Sequence, residues 1–522
     1  MLAAVFIVGS LLSAAAPPPV DLPPTPRFRH YGVSEGLPSS RVYATAQDRA
    51  GYIWVGTGDG LARFDGQGFR VFRHDPQRSD SLAANDVSTL LVDDQGRLWV
   101  GGGDNGLNRL NKAGTGFEHW LHNAHQADSL SGNDVMGLAQ DVEGRIWVGV
   151  YAGGLNRLKA DGRGFDHWRH KAGDSTSLVS DNVMSLHAGR AGRIWVGTDK
   201  GLDLIEPDGH LRHIPFAGTD TAPWVWQIRG EDEDVRLGTS DGLYHVGKDG
   251  VARRWPGEKD QHGDVFASLR DRGGDLWIGA RGAVRLHTGT GHTFRFQTRP
   301  MMPGGLLART IVDVETDREG GLWLSSADAG LFYLGPDWRD FSRFAHIPED
   351  PDSLSSSRVM ALAVDEAGKL LVGGMAGQLD LLDPASGRAL HLGGEGRLPA
   401  TSVLSLATDG PERIWIGMQG HLFLHDGERM REVHDPRMRY GIRELLVQPD
   451  HSVLVSPLGQ GMVRVDPESL AVTAVPLAFG KVRAGQTLHL AQVGGEVWRA
   501  SKGGMARLPA GGKRFVAIAG VK

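Results

Sequence analysis

Few residues in this chain have the types and spacing that chemistry needs. Cysteine is absent, which removes a thiol nucleophile, thiolate metal ligands and disulfides. No HExxH, P-loop or partnered S-x-x-K occurs, so the usual zinc-hydrolase and nucleotide-binding arrangements are not written in the sequence. The acidic stretch EDED at 231–234 resembles half a calcium loop but lacks the alternating ligand spacing and the closing Glu, so it reads as a solvated turn. Histidines are scattered; His74, His119, His167 and His213 fall at equivalent places near the fourth strand of a repeated unit, where edge or loop packing explains them. Neither metal nor cofactor is expected.

The chemistry that remains is stacking. Trp224 and Trp226 sit where other copies of the repeat carry small or polar residues, and two indoles at a channel mouth can stack on a sugar ring. They would equally fill space in a copy whose own central position has shrunk to Leu237. Tyr151, Asp104, Asn105, Lys200 and Arg281 fall in second hairpin loops of the repeat, and Arg41, Asn85, Asn133 and Asn182 precede its inner strands. These two sets of loops share one face, although such residues also serve as turn formers and rim residues.

The elements that must position them are legible from residues 85–130 set against 133–178. Each segment has short apolar runs, such as Leu98–Val100 and Leu107–Leu110, split by Asp/Gly-rich turns and closed by an aromatic pair such as Phe117 and Trp120. The apolar residue after the DxxG turn makes a ladder: Trp54, Trp99, Trp147, Trp195, Leu237, Trp277, Trp323, Leu371, Trp415, Leu454 and Trp498, spaced 39 to 48 residues apart. In the first ten copies a Val or Ile stands 12 residues before the rung, from Val42 to Ile442. Period-two alternation and Gly-centred turns predict four short antiparallel strands per copy. A repeat of this length and content is a β-propeller blade; a β-solenoid uses shorter repeats.

The ladder Trp lies mid-strand and reads as inter-blade packing, and Asp48, Asp93 and Asp141 of the DxxG turns read as acceptors for backbone N–H groups. Propellers close with 4 to 8 blades. Eleven copies therefore predict one seven-bladed ring over residues 28–355 and four blades of an incomplete second ring over 356–522. The stretch FRHYGVSEGLPSSRV from Phe28 reads as the end of one repeat joined to the start of the next.

Composition agrees with a folded all-β protein. Hydrophobic residues are 40% and charged residues 23%, and the 74 glycines fall mostly in short turns, as many hairpins require. A net charge of −6 offers no basic field for nucleic acid. Residues 1–16 contain an apolar run ending in small residues, AAA at 14–16, and read as a signal peptide, though no Lys or Arg precedes the run. Residues 17–27 form a Pro-rich linker.

The stretch EGLPSSRVYATAQDRAGYIWVGTGDGLARFD at 35–65, its recurrences, and the connectors SDSL (79–82), ADSL (127–130), STSL (175–178) and PDSL (351–354) resemble the two-component regulator propeller family. The resemblance runs from Phe28 to Phe515. It implies a periplasmic sensor region of two seven-bladed propellers, followed in that family by a β-sandwich, a transmembrane helix and a histidine kinase or diguanylate cyclase. This chain departs from the pattern in having too few copies for two rings and no output domain. The expectation is a non-catalytic, periplasmic sensor region binding a small molecule or carbohydrate, with self-association into a dimer as a further partnership. The alternatives are a propeller lyase or hydrolase acting at the channel mouth, or an interaction scaffold.

Overall fold

The structure is a computed structural model. It describes residues 26–518 except 232–233, 257–262, 282, 288–292, 298–304, 340–342, 349, 385, 394–395, 412, 428, 479–486 and 502–503; the apolar run at the N-terminus lies outside the described residues. Among the described residues eleven antiparallel blades are present, in two compact units, Pro26–Phe341 and residues 342–522. None of the described helices is long and apolar enough to cross a membrane.

Blade 1 consists of Val42–Gln47, Ile53–Thr57, Gly60–Phe64 and Phe69–Phe72, paired in that order. Blades 2 to 6 repeat it from inner strands Thr89–Val92, Val135–Gln140, Val183–Ala188, Val225–Glu231 and Val265–Arg270. Blade 7 supplies only Ile311–Thr316, Leu322–Ser326 and Gly330–Leu334, and takes its outer strand from Arg29–Tyr31 at the start of the unit. Tyr31 stacks on Trp323 of blade 7 with ring centroids 6.0 Å apart, and meets Phe64 of blade 1 at 5.0 Å. The first strand thereby ties the two ends of the chain's first unit into a closed ring.

The two sequence markers meet in space. Val87 of blade 2 packs on Trp54 of blade 1, Val135 on Trp99, and Val183 on Trp147. The glycine two residues after each Trp leaves room for that valine: a Cβ at Gly149 would lie 2.5 Å from Val183 Cγ1, and one at Gly101 2.5 Å from Val135 Cγ1. No side chain fits at that separation, so W-x-G and the Val 12 residues before the next rung form a lock between blades.

The DxxG aspartate does more than hold its turn. Asp141 Oδ1 accepts the backbone N–H groups of Glu143 (3.0 Å) and Arg145 (2.9 Å), while Oδ2 accepts the Trp147 indole N–H at 2.8 Å. The same indole bond recurs from Trp54 to Asp48, Trp99 to Asp93, Trp277 to Asp271 and Trp323 to Asp317. Burial, the largest influence, pushes the Asp93 and Asp141 carboxyls up, but the indole and Arg97 or Arg145 donors outweigh it and hold both below the ordinary carboxylate range. In blade 4 the aspartate is replaced by Gly189, and the buried Trp195 Nε1 has no partner.

The histidines belong to two registers, which corrects the single grouping expected from the sequence. His119, His167 and His213 meet Asn108, Asn156 and Asp203 of the neighbouring strand through Nδ1. His74 instead aligns with His122, His170 and His346, whose Nδ1 atoms meet the carbonyls of Leu82, Leu130, Leu178 and Leu354 at 2.6–2.7 Å. These leucines of the Ser-Leu connectors are buried. The first set ties the outer strand to its neighbour, and the second ties the residues after the outer strand to the connector.

In the second unit, blades 8 to 11 pack in succession through inner strands Ala361–Val364, Val403–Asp409, Ile442–Val447 and Thr487–Val493. The last sheet gains a fifth strand, Leu477–Ala478, parallel to Phe515–Ala517. The unit begins at 342 rather than the expected 356, because Phe344 and Leu354 of the connector pack on Val372, Leu382 and Ala389 of blade 8.

Candidate functional site

The first ring surrounds a channel of about 540 Å³ that all seven inner strands line. Its upper wall has a common origin. In blades 1, 3, 4, 5, 6 and 7 the pairing of inner and second strand slips by one residue immediately after the marker Val or Ile. Such a bulge re-aims the extra side chain. The residues involved are Tyr43, Met136, Met184, Trp226, Phe266 and Val312, with Ser88 at the matching place in blade 2, and all seven line the channel. The wall is thus aromatic and methionine-rich, with hydroxyls from Tyr43 and Ser88. The sequence analysis had missed it as a set; its signal was the residue directly after each marker.

Blade 5 carries the densest part. Trp226 lies 5.1 Å from Trp224 and 5.7 Å from Phe266, centroid to centroid. Trp224 is 41% exposed, and its backbone is held by Ser240, whose hydroxyl accepts its N–H at 3.1 Å and whose N–H donates to its carbonyl at 3.0 Å. The Trp226 Nε1 is buried without an acceptor. These indoles do not fill the space left by Leu237. Tyr244, paired opposite Leu237, takes that room, packs in the same cluster and donates to Asp241 at 2.9 Å.

Deeper in the channel lies a charged trio contributed by strands far apart in sequence. Arg229 of blade 5 reaches Glu315 of blade 7 with both guanidinium nitrogens, one at 3.1 Å, and comes within 3.8 Å of Asp313. Asp313 also accepts the Thr45 backbone N–H at 3.0 Å from blade 1. Burial pushes the Asp313 carboxyl up, against the pull of Arg229 and Thr45, and pushes Arg229 down. Two carboxylates therefore share one guanidinium in a partly dehydrated place.

The remaining candidates sit on the face where the inner strands begin. Tyr151 is 39% exposed, and Asp104 is exposed with φ of 54°. Arg41 is exposed, its guanidinium beside Gly58. Arg281 pairs with Asp264 at 3.0 Å. Asn105 is fully buried, its amide bound to the Ala84 N–H and the Asp86 carbonyl, so it holds the loop and offers no surface to a ligand. Asn85, Asn133 and Asn182 likewise accept the backbone N–H groups of His74, His122 and Ala152. Lys200 is exposed and lines a separate pocket of about 260 Å³ with His213 and Phe216, away from the channel. The EDED stretch includes residues 232–233, outside the described residues. Among the described residues no three His, Cys, Asp or Glu side chains converge as a metal would need.

Repeated four-stranded blades, seven of them closed around a lined channel, define a β-propeller protein. The profile of the two component regulator propeller family matches residues 36–59, 81–104 and 129–152, each running from a connector through the inner and second strands to the following turn. These segments are two-component regulator propeller repeats. Over 56 residues, 11% of the chain, the sequence is 41% identical to histidine kinase P4 of Formosa agariphila. The match spans 4% of that kinase. The fold is similar to that of the extracellular domain of the hybrid two component system BT3049 from B. thetaiotaomicron, with TM-score 0.66 and 18% identity over 95% of this chain and 73% of that one. The extracellular domain of BT4673 from the same organism aligns with TM-score 0.50 and 17% identity, over 95% and 73%.

Proposed function

We propose that this chain is the extracytoplasmic sensor portion of a two-component-type receptor, and that its first ring binds a small ligand in the channel without transforming it. The carrying observation is the wall of bulge residues, in which the tilted ring pair of Trp226 and Phe266 lines the channel. The family of the repeats, the local match to a histidine kinase and the fold shared with two extracellular domains support a sensing role. Occupancy would be passed to an output carried elsewhere in the receptor. A ligand with a flat, weakly polar face suits this wall, and a sugar ring is such a ligand.

The test is a titration of the purified chain with neutral and charged monosaccharides and disaccharides, followed by tryptophan fluorescence and calorimetry. Trp226→Ala should weaken the best ligand about 10-fold, equivalent to about 1.4 kcal/mol, and Trp224→Ala somewhat less. Saturable binding that neither variant alters would refute the channel as the site.

A further inference from the structure

We infer that the channel's ligand is an amino sugar, whose ring lies on Trp226 and whose ammonium group meets the shared carboxylates of Asp313 and Glu315. This rests on the reading of the channel as the ligand site and adds the ligand's charge.

Three features of the lining point the same way. The charged lining residues are Arg229, Asp313 and Glu315; with His187 neutral and both carboxyls ionised, one negative charge is left over. A partly buried site with one uncompensated negative charge is improved by a cation that completes the pairing. Both carboxylates are held in place before any ligand arrives, Asp313 by Thr45 and Glu315 by Arg229. An incoming ammonium would therefore meet ordered acceptors. The wall above is built of Trp226, Phe266 and Tyr43, whose ring faces attract cations, and of polarisable Met136 and Met184. An anionic sugar would face the carboxylates with only one guanidinium, already paired twice. A neutral sugar would leave the excess charge as it is. Trp226 and Arg229 are three residues apart on one strand, about 10 Å along its axis, so a small ligand can engage the wall while its amine reaches the trio.

The test compares glucosamine with glucose, which differ by one amine in place of one hydroxyl, on the full chain at low salt. Glucosamine should bind at least 10-fold more tightly, and the preference should shrink as salt is raised. Glu315→Gln and Asp313→Asn should each cut the preference below about 3-fold; a circular dichroism spectrum unchanged from the parent shows that each variant is folded. Trp226→Ala should weaken both sugars. Equal binding of the two sugars, still lost in Trp226→Ala, overturns the amine assignment and leaves the channel as a ligand site. No saturable response to glucosamine overturns this inference; a Trp226-dependent response to another sugar would then keep the channel reading, and none with any sugar would remove it as well.

Discussion

Blade 4 contains a natural deletion of the contact that anchors the ladder tryptophans, and restoring it is a direct trial of that contact's worth. The turn Ala188-Gly189-Arg190-Ala191-Gly192-Arg193 aligns residue for residue with Gln140-Asp141-Val142-Glu143-Gly144-Arg145. Gly189 is not among the glycines with positive φ, and its N–H already donates to the Arg193 carbonyl at 2.9 Å, as Asp141 donates to Arg145. Gly189→Asp should therefore place a carboxylate where Trp195 Nε1 lacks an acceptor. Satisfying a buried donor contributes about 1–3 kcal/mol, and replacing glycine at an ordinary φ adds about 0.4–1 kcal/mol. Against this stands the cost of burying the new carboxylate. Arg193 is already paired with Glu206 at 2.9 Å, so it compensates less than Arg145 does for Asp141. A net stabilisation of about 1–2 kcal/mol follows, roughly a 2 °C rise in Tm for a ring of this size. Urea titration and scanning calorimetry would measure it, in the parent and in a Trp195→Phe background that has no indole to satisfy. Destabilisation, or an equal gain in both backgrounds, would show that the indole bond is not what the aspartate provides.

Asp141→Ala in blade 3 is the converse, stranding the Trp147 indole and two backbone donors, and should cost about 3–5 kcal/mol in the same titration. Because Asp93 and Asp141 have lowered pKa values in the fold, the stability they add is present above the unfolded value of about 3.9 and is lost as pH falls through the folded values. Urea midpoints taken downward from pH 5 should fall, and should fall less in Asp93→Asn. Gly149→Ala should cost about 1–3 kcal/mol by driving a methyl into Val183, whereas Gly68→Ala, with nothing within 4 Å, should be nearly neutral in thermal melts. Tyr31→Ala should cost about 3–5 kcal/mol and raise amide exchange along Gly330–Leu334, the strand to which the first strand is tied; unchanged protection there would contradict the closure.

Much of the fold could be read from residues because its signals are local. The DxxG turn, the W-x-G strand and the Val marker recur at a near-constant spacing, and each copy contains the turn chemistry of its own hairpins. The candidate site was less legible. Trp224 and Trp226 stood out as departures from the repeat, and both belong to one aromatic group at the channel. Asn105 looked like a rim residue because its loop is on the correct face; only the hydrogen bonds of its buried amide reveal that it serves the loop. The other bulge residues, from Tyr43 to Val312, are common apolar types at an unremarked position, and a one-residue slip in strand pairing is what turns them inward.

The sequence by itself determined the blade, its four strands and the lock between successive blades, since all of these follow from short-range patterning and repetition. Tertiary structure alone decided that Arg29–Tyr31, read in the sequence as the end of a repeat, completes blade 7, and that Arg229 meets Glu315, 86 residues away. Each blade must bury its faces on neighbours, and the ring that results brings inner strands together around one axis whatever their separation along the chain. The pattern within one repeat carries no record of which distant side chains that axis will gather.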